Sequence, residues 1–292
     1  MDKSESEDIM SDTNHPAWAG AEASDPGPQL PASAPPSPPP APAGAQPPPP
    51  RPPGPWGVWA TLGWLVFMVL SMVPASILAI NLFIYVSPHF DRAYKNHNFS
   101  PEELVSNGDL IWIFLILEFI FCGAVIALAL FLRRRRYPAK AYLALNKVSA
   151  GKFVLWTIAF IIFMIGTDLL LSLFKVEQVP EWMSSVYSST RYLPCLFVTV
   201  IVIAPLVEEL IFRGFVFAGI QARLGSFWAV IFATLPWTLL HLNQYQWYYL
   251  LTVLGLGLFI SLARLKTGSL YVPLALHCLN NLMASIQVML TM

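Results

Sequence analysis

Long apolar runs separated by short polar breaks make up the chain from Trp56 to its end. A helix of about 20 apolar residues crosses the hydrocarbon layer of a membrane, which is roughly 30 Å thick. Only 12% of the residues are charged, whereas soluble proteins average about 25%. We therefore predict an all-α fold, a polytopic bundle of transmembrane helices.

Seven apolar runs are long enough to be predicted as membrane spans. They cover residues 56–86, 110–132, 153–174, 193–220, 226–242, 247–265 and 269–290. Pro74 is expected to split or kink the first run, because proline lacks the N–H that a helix interior needs.

Residues 1–55 differ in composition from the rest of the chain, because they contain 17 of its 26 prolines. Such a segment forms extended polyproline-type chain and cannot bury a core. We predict a disordered tail over residues 1–55 and a transmembrane domain over residues 56–292. The tail is expected to act as a spacer, and docking to a module that binds proline-rich segments stays open.

Basic residues indicate the orientation in the membrane, because cytoplasmic loops are enriched in Lys and Arg. The break after the second run contains seven bases and no acid: Arg133, Arg134, Arg135, Arg136, Lys140, Lys147 and Lys152. With seven spans, the N-terminus is predicted to be cytoplasmic and the C-terminus external, in a multi-pass protein of the plasma membrane. The sequence shows no basic face of the kind that binds nucleic acid, so we expect no such partner.

Ionisable side chains at membrane depth are expensive, so each is a candidate functional residue. Glu118 and Asp168 stand alone in the second and third runs, and we expect a structural hydrogen bond or a position near a helix end. The other five fall within the last four runs: Glu208, Glu209, Arg213, His241 and His277.

Helical spacing separates the two adjacent glutamates. Residues four apart share a helix face, so Glu209 is predicted to pair with Arg213. Glu208 lies about 100° round the helix and is free to face something else.

The same spacing groups the remaining polar residues. His277 and Asn281 form one polar face, with Asn280 as a weaker alternative to Asn281. Trp237 precedes His241 by four residues and is predicted to wall the imidazole.

A proline precedes each polar group, at Pro205, Pro236 and Pro273. Proline inside a membrane helix frees a backbone carbonyl and opens a kink. We predict a hydrated pocket inside the bundle, although prolines that merely begin or bend helices would give the same pattern.

These groups suit hydrolysis of a peptide bond. Glu208 beside His241 can take a proton from water as a general base. His277 and Asn281 can supply hydrogen-bond donors to the developing oxyanion. Base, partner and donors together predict attack by water on an amide.

Three segments resemble the three motifs of the CAAX-protease and bacteriocin-processing family (CPBP, also called Abi-type). They are "EELIFR" at residues 208–213, "WTLLH" at 237–241 and "HCLNN" at 277–281. Members of that family are intramembrane endopeptidases, and the resemblance covers residues 193–290 as a protease core. The chain departs from the family pattern at Trp237, where phenylalanine is usual.

The resemblance implies an intramembrane glutamic-type endopeptidase that cuts near the end of a protein substrate, in CAAX-type or signal or anchor processing. It implies a membrane-anchored or lipidated protein as substrate, with membrane lipid as the surroundings. It also implies roles for six residues: Glu208 and His241 activate water, Glu209 supports Arg213, and His277 and Asn281 form the oxyanion hole.

Two alternatives stay open. A zinc metalloprotease would use Glu208, His241 and His277 as ligands, but His-Glu-x-x-His is absent and asparagine is a poor zinc ligand, so no cofactor is expected. A non-catalytic scaffold, immunity protein or transporter would also place polar groups on kinked helices. The predicted topology places Glu208 nearer the cytoplasmic side and His241 nearer the outer end of its span, a difficulty for the enzyme.

Overall fold

The computed structural model describes residues 54–90 and 100–292, which form helices and no β-strand. This confirms the predicted all-α fold. The predicted disordered tail lies outside the described residues, apart from Gly54 and Pro55. The α-helices are α1 (Val58–Phe90), α2 (Pro101–Val105), α3 (Gly108–Arg133), α4 (Ala139–Tyr142), α5 (Ala150–Leu173), α6 (Glu181–Ser189), α7 (Leu193–Val198), α8 (Ala204–Glu209), α9 (Phe217–Leu224), α10 (Ser226–Leu239), α11 (Trp247–Thr267) and α12 (Tyr271–Thr291).

Six helical stretches within the described ranges are long and apolar enough to cross a membrane. They are Val58–Val86, Gly108–Arg133, Ala150–Leu173, Leu193–Leu224, Trp247–Thr267 and Tyr271–Thr291. These correspond to six of the seven predicted runs. Helix α1 continues through Pro74 as one helix, so Pro74 does not split the first run; a kink there stays a prediction.

The fifth apolar run is shorter than predicted. Helix α10 has 14 residues, which gives a length of about 21 Å at 1.5 Å per residue. Turns follow it up to Gln246. Because irregular backbone at membrane depth is tolerated where it lines a cavity, these turns indicate where the interior is polar.

The basic segment between α3 and α5 packs at one end of the bundle. Asn146 Nδ2 donates to the carbonyl of Gly268, 2.9 Å away, and Ser269 Oγ donates to the carbonyl of Asn146, 2.6 Å away. The guanidinium of Arg133 donates to the carbonyl of Gly54 at 2.9 and 3.0 Å. The side of the membrane that this end faces stays a prediction.

Asp109 forms several hydrogen bonds at the other end of α3, where the helix begins. Its Oδ1 accepts hydrogen bonds from Trp112 Nε1 at 3.1 Å and Thr190 Oγ1 at 2.9 Å, and from the backbone N–H of Arg191 at 3.1 Å. The carboxylate therefore fastens the connection between α6 and α7 to the start of α3.

The turn at Gly225 brings two predicted site residues to one depth. Its φ of +86° is a conformation that glycine adopts without strain. Helices α9 and α10 pack against each other on either side of it. Glu208 lies 17 residues before this glycine and His241 lies 16 residues after it. The predicted difference in their depth is therefore wrong, because the hairpin returns the chain to the level it left.

The buried core joins the helices around this hairpin. Its largest side chains come from several of them, including Phe160, Phe212, Phe215, Trp237 and Ile260. Helix α1 approaches α9 closely at Gly219, where a Cβ would lie 2.0 Å from Thr61 Oγ1. This position requires glycine.

Gly219→Ala is expected to lower the melting temperature of the detergent-purified protein, since the added methyl group would overlap Thr61. Overpacking of this kind costs about 1–3 kcal/mol. Thermal unfolding with Gly123→Ala as control tests this, because nothing lies within 4 Å of a Cβ at that helical position. An unchanged melting temperature for Gly219→Ala would contradict the close contact, and Thr61→Ala should restore part of the loss.

Candidate active site

The fourth span changes its helical pitch on both sides of the two glutamates. A π-helical segment at Thr199–Ile203 precedes α8, and a second one at Leu210–Val216 follows it. Pro205 stands in the first turn of α8. Departures from α-helical pitch often occur at functional sites, and the sequence pattern did not predict these segments.

Glu209 and Arg213 form the predicted ion pair. Arg213 Nη1 lies 3.1 Å from Glu209 Oε1, and both side chains are 0% exposed. A buried charge is tolerated when it is paired and hydrogen-bonded, so each residue depends on the other.

The guanidinium of Arg213 also binds the fifth and sixth runs. It donates to Ser261 Oγ and to the carbonyl of Gly257, both at 3.1 Å. Its central carbon lies 4.6 Å from the ring centroid of Trp237, within the range of a cation–π contact. Thr234 Oγ1 lies 3.1 Å from both Ser261 Oγ and the carbonyl of Gly257.

Glu209 has a second partner that spacing along one helix could not predict. His277 Nδ1 lies 2.9 Å from the same Oε1 that accepts from Arg213. An ionised carboxylate only accepts hydrogen bonds, so Nδ1 carries a proton and donates. The ring of His277 is thereby oriented with Nε2 pointing away from Glu209.

Glu208 faces the other way, as the helical geometry predicts. Its Oε2 accepts a hydrogen bond from Trp237 Nε1 and lies 3.9 Å from His277 Nε2. Its side chain keeps 19% exposure. Of the two adjacent glutamates, Glu208 is therefore the one available to a ligand.

His241 is held by the preceding turn of its helix. Its Nδ1 lies 2.9 Å from the carbonyl of Trp237, which can only accept, so Nδ1 carries the proton. Its ring packs edge-on against Trp237 and stacks on Tyr245, with centroids 4.9 and 6.0 Å apart. The predicted aromatic wall is present, and Nε2 is the ring nitrogen that is left for a ligand.

Asn281 is anchored by neighbours on both sides. One N–H of its amide donates to the carbonyl of Val200, in the first π-helical segment, at 2.8 Å. Asn280 Nδ2 donates to Asn281 Oδ1 at 3.1 Å. Asn280 thus positions Asn281, whose second N–H remains available as a donor.

All four predicted catalytic residues line one cavity of about 200 Å³: Glu208, His241, His277 and Asn281. Asn280, Trp237 and Gln244 line it too. Pro236 lies inside α10 and Pro273 lies in the first turn of α12. A cavity therefore lies where the prolines predicted a pocket.

Two tyrosines in the cavity wall were not among the residues predicted from sequence. Burial and the nearby Glu208 carboxyl raise the pKa of Tyr245, and burial raises the pKa of Tyr187. Both phenols therefore keep their protons at neutral pH. The Tyr187 hydroxyl lies 2.5 Å from Ser285 Oγ, which donates to the carbonyl of Asn281 at 2.6 Å. Tyr245 follows His241 by four residues, and that spacing was a usable signal.

The residues present do not fit a zinc site. Across residues 54–90 and 100–292, no three His, Cys, Asp or Glu side chains are placed to hold a metal ion. His277 Nε2 lies 3.9 Å from Glu208 Oε2, and that oxygen already accepts a hydrogen bond from Trp237 Nε1.

The two isolated carboxyls occupy different places. Asp168 lines a separate cavity with Thr167 and Gln178. Glu118 is the eleventh residue of α3, which has 26, and is therefore not near a helix end. Its side chain is buried, and no hydrogen bond joins its carboxyl to a described residue.

Comparison with known proteins identifies related sequences. Residues 190–283 match the family model "Type II CAAX prenyl endopeptidase Rce1-like". The chain is 23% identical over 171 residues to "Putative membrane peptidase YdiL" of Bacillus subtilis (strain 168), a match covering 57% of this chain and 67% of that protein. No solved structure matches the chain. The matches confirm the resemblance of the three motifs and support a membrane peptidase of the CAAX type.

Glu209→Ala and Arg213→Ala are each expected to lower the amount of folded protein, because each strands a charge that is 0% exposed. Breaking a buried pair costs about 3–5 kcal/mol. Detergent-soluble monodisperse yield and melting temperature measure the effect, with the exposed Arg223→Ala as control. Wild-type yield and melting temperature in both single variants would contradict the role of the pair.

Proposed function

We propose that this chain, a member of the CAAX-protease and bacteriocin-processing family, is an intramembrane endopeptidase that activates water with Glu208 and His241. It hydrolyses a peptide bond near the end of a protein substrate. The observation that carries the proposal is that Glu208 of α8, His241 after α10, and His277 and Asn281 of α12 converge on one cavity inside an apolar bundle.

Water activation uses the two acceptors left free in the cavity. Glu208 is fixed by the N–H of Trp237 at one oxygen, and its remaining capacity faces the cavity. Because Nδ1 of His241 is bonded to the carbonyl of Trp237, Nε2 is the ring nitrogen that would accept a proton. Either atom takes a proton from water, whose oxygen then attacks the carbonyl carbon of the substrate. The proton passes to the leaving nitrogen as the C–N bond breaks.

Asn281 and His277 hold the negative charge that develops on the substrate oxygen. Asn281 donates its second amide N–H. His277 donates from Nε2 when that nitrogen carries a proton, and the hydrogen bond from Nδ1 to Glu209 holds the ring in place. Glu209 is thus a positioning residue for the oxyanion hole as well as the partner of Arg213.

The substrate class follows from the location of the cavity. The lining residues lie on or between spans, so the scissile segment must reach membrane depth. We propose a membrane-anchored or lipidated protein as substrate, with membrane lipid around the enzyme. We also propose the plasma membrane as its location, with the N-terminus cytoplasmic because the basic segment lies on that side.

The proposed mechanism is of the glutamic type and needs no metal. The absence of a three-ligand cluster among the described side chains favours it over the zinc mechanism. A non-catalytic scaffold or transporter is the alternative function.

Glu208→Gln is expected to abolish cleavage while the protein still inserts and folds, because the amide keeps the shape of the side chain but cannot act as a base. The measurement compares membrane proteomes of wild type, a deletion strain and a Glu208→Gln strain for precursors that retain a terminal segment. The deletion and Glu208→Gln strains should accumulate the same precursors.

Asp168→Asn is the matched control, since it neutralises a carboxyl in a span outside the site cavity. It should process substrates like wild type. Wild-type processing by Glu208→Gln would refute the assignment, and a phenotype confined to the deletion would indicate a scaffold.

Exhaustive chelation is expected to leave the purified enzyme active, with well under one zinc per chain by elemental analysis. The reason is that the protein's own Glu208 and His241 would take the proton from water. In the competing mechanism chelation inactivates, added zinc restores activity, and Glu208→Gln loses bound metal. That result would replace the glutamic mechanism with the metalloprotease.

A further inference from the structure

A second, smaller cavity adjoins the site cavity on the side of α1 and α3. Its volume is about 100 Å³, enough for about three water molecules. Apolar side chains from α1, including Leu65, Met68 and Met72, form one wall. Glu118 of α3 lines the same space.

The two cavities meet at the catalytic pair. Five residues line both: Phe114, Leu115, Glu208, His241 and Gln244. The oxyanion donors His277 and Asn281 line only the larger cavity, whereas Glu118 lines only the smaller one. The catalytic pair therefore separates a space suited to the substrate carbonyl from a space that contains another carboxyl.

Gln244 borders both cavities and also a polar recess. That recess has a volume of about 480 Å³, and Lys175, Glu181 and Gln246 are among the residues that line it. Gln244 also lines the recess and is thus common to all three spaces. Gln244 therefore lies between the recess with these charged side chains and the cavities that Glu208 and His241 line.

Glu118 has no evident structural task. Its side chain is 7% exposed, and no described residue hydrogen-bonds to its carboxyl. Its side chain borders the smaller cavity, and ordered water is the usual partner of a polar group where a polar cavity has room for it. The titratable side chains in the cavity wall are Glu118, Glu208 and His241.

We propose that the smaller cavity is the water chamber of the enzyme, and that Glu118 is the positioning residue that holds the hydrolytic water beside Glu208 and His241. This inference rests on the proposed peptidase function. Water enters past Gln244 and binds to the Glu118 carboxyl. The bound water then gives a proton to Glu208 or His241, and the water oxygen forms a bond to the carbonyl carbon of the substrate from the side of the chamber. Glu118 exchanges no atoms with the substrate.

Radiolytic footprinting in H₂¹⁸O tests the chamber without a substrate. Hydroxyl radicals formed from bound water oxidise adjacent methionines, and the probes are Met68 and Met72, which line the chamber. Met68 is 1% exposed, so its labelling in the full chain requires internal water. We expect both to be labelled in wild type and in Glu118→Gln, and several-fold less in Glu118→Leu.

Met183 is the internal control, because it lines the site cavity and not the chamber. Its labelling should be the same in all three proteins. Unlabelled Met68 and Met72 in wild type, or equal labelling in Glu118→Leu, would overturn the proposal.

Kinetics then separate water positioning from a structural role. With a peptide spanning a cleavage site found by the Glu208→Gln comparison, Glu118→Leu should lower kcat about 100-fold, as loss of a positioned reactant does, with KM unchanged. Glu118→Gln should keep most of the activity, since an amide still binds water. Asp168→Leu, the matched loss of an intramembrane carboxyl, should leave kcat unchanged.

Leu65→Phe provides a second variant if Glu118→Leu does not fold, because the larger side chain fills the chamber from α1. This variant should lower kcat and leave KM unchanged. Equal loss of activity in Glu118→Gln and Glu118→Leu would overturn water holding in favour of proton exchange. Normal cleavage by Glu208→Gln would refute the peptidase mechanism. If labelling of Met68 and Met72 still depended on Glu118, the hydrated chamber would remain supported.

Discussion

The buried ion pair between Glu209 and Arg213 determines how the last four apolar runs pack. Both charges are fully enclosed, so every remaining donor of the guanidinium must find an acceptor within the protein. Arg213 takes those acceptors from α11, at Ser261 and Gly257, and Glu209 takes a second donor from α12, at His277. Satisfying one pair of charges therefore draws three helices together and sets the orientation of a histidine that faces the cavity.

Adjacent residues in one sequence motif acquire opposite environments through this packing. Glu209 is enclosed between two positively charged or protonated groups, whereas Glu208, one residue earlier, retains exposure to the cavity and a single donor from Trp237. The 100° step between neighbours on a helix is enough to turn one carboxylate into a structural anchor and the other into a group available for chemistry.

A hydrolase inside an apolar bundle must admit water without giving up its core. The irregular backbone after α10 serves that need, because the turns that end this short helix expose His241, Gln244 and Tyr245 to the cavity. Non-helical backbone at membrane depth is stable only where such a cavity or the protein itself satisfies it. The short α10 and the polar interior space are thus linked, because the turns that follow the helix line that space.

The hydrophobic pattern and the residue spacing along single helices determined much of this protein. They predicted the apolar runs, the pairing of Glu209 with Arg213, the direction of Glu208 away from that pair, and the wall that Trp237 forms beside His241. These are local relations, because residues three or four apart on a helix are neighbours in any fold. The tertiary structure alone decided the second hydrogen bond of Glu209, to His277, the hydrogen bond from Trp237 to Glu208, and the position of Glu118 in one cavity wall with Glu208 and His241. Each joins residues far apart in the chain, and helix spacing carries no information about which faces of separate helices meet. The common depth of Glu208 and His241 lies between these cases, because the sequence contains the residue counts on either side of Gly225 and a break between two predicted runs, and only the fold shows that both side chains line one cavity.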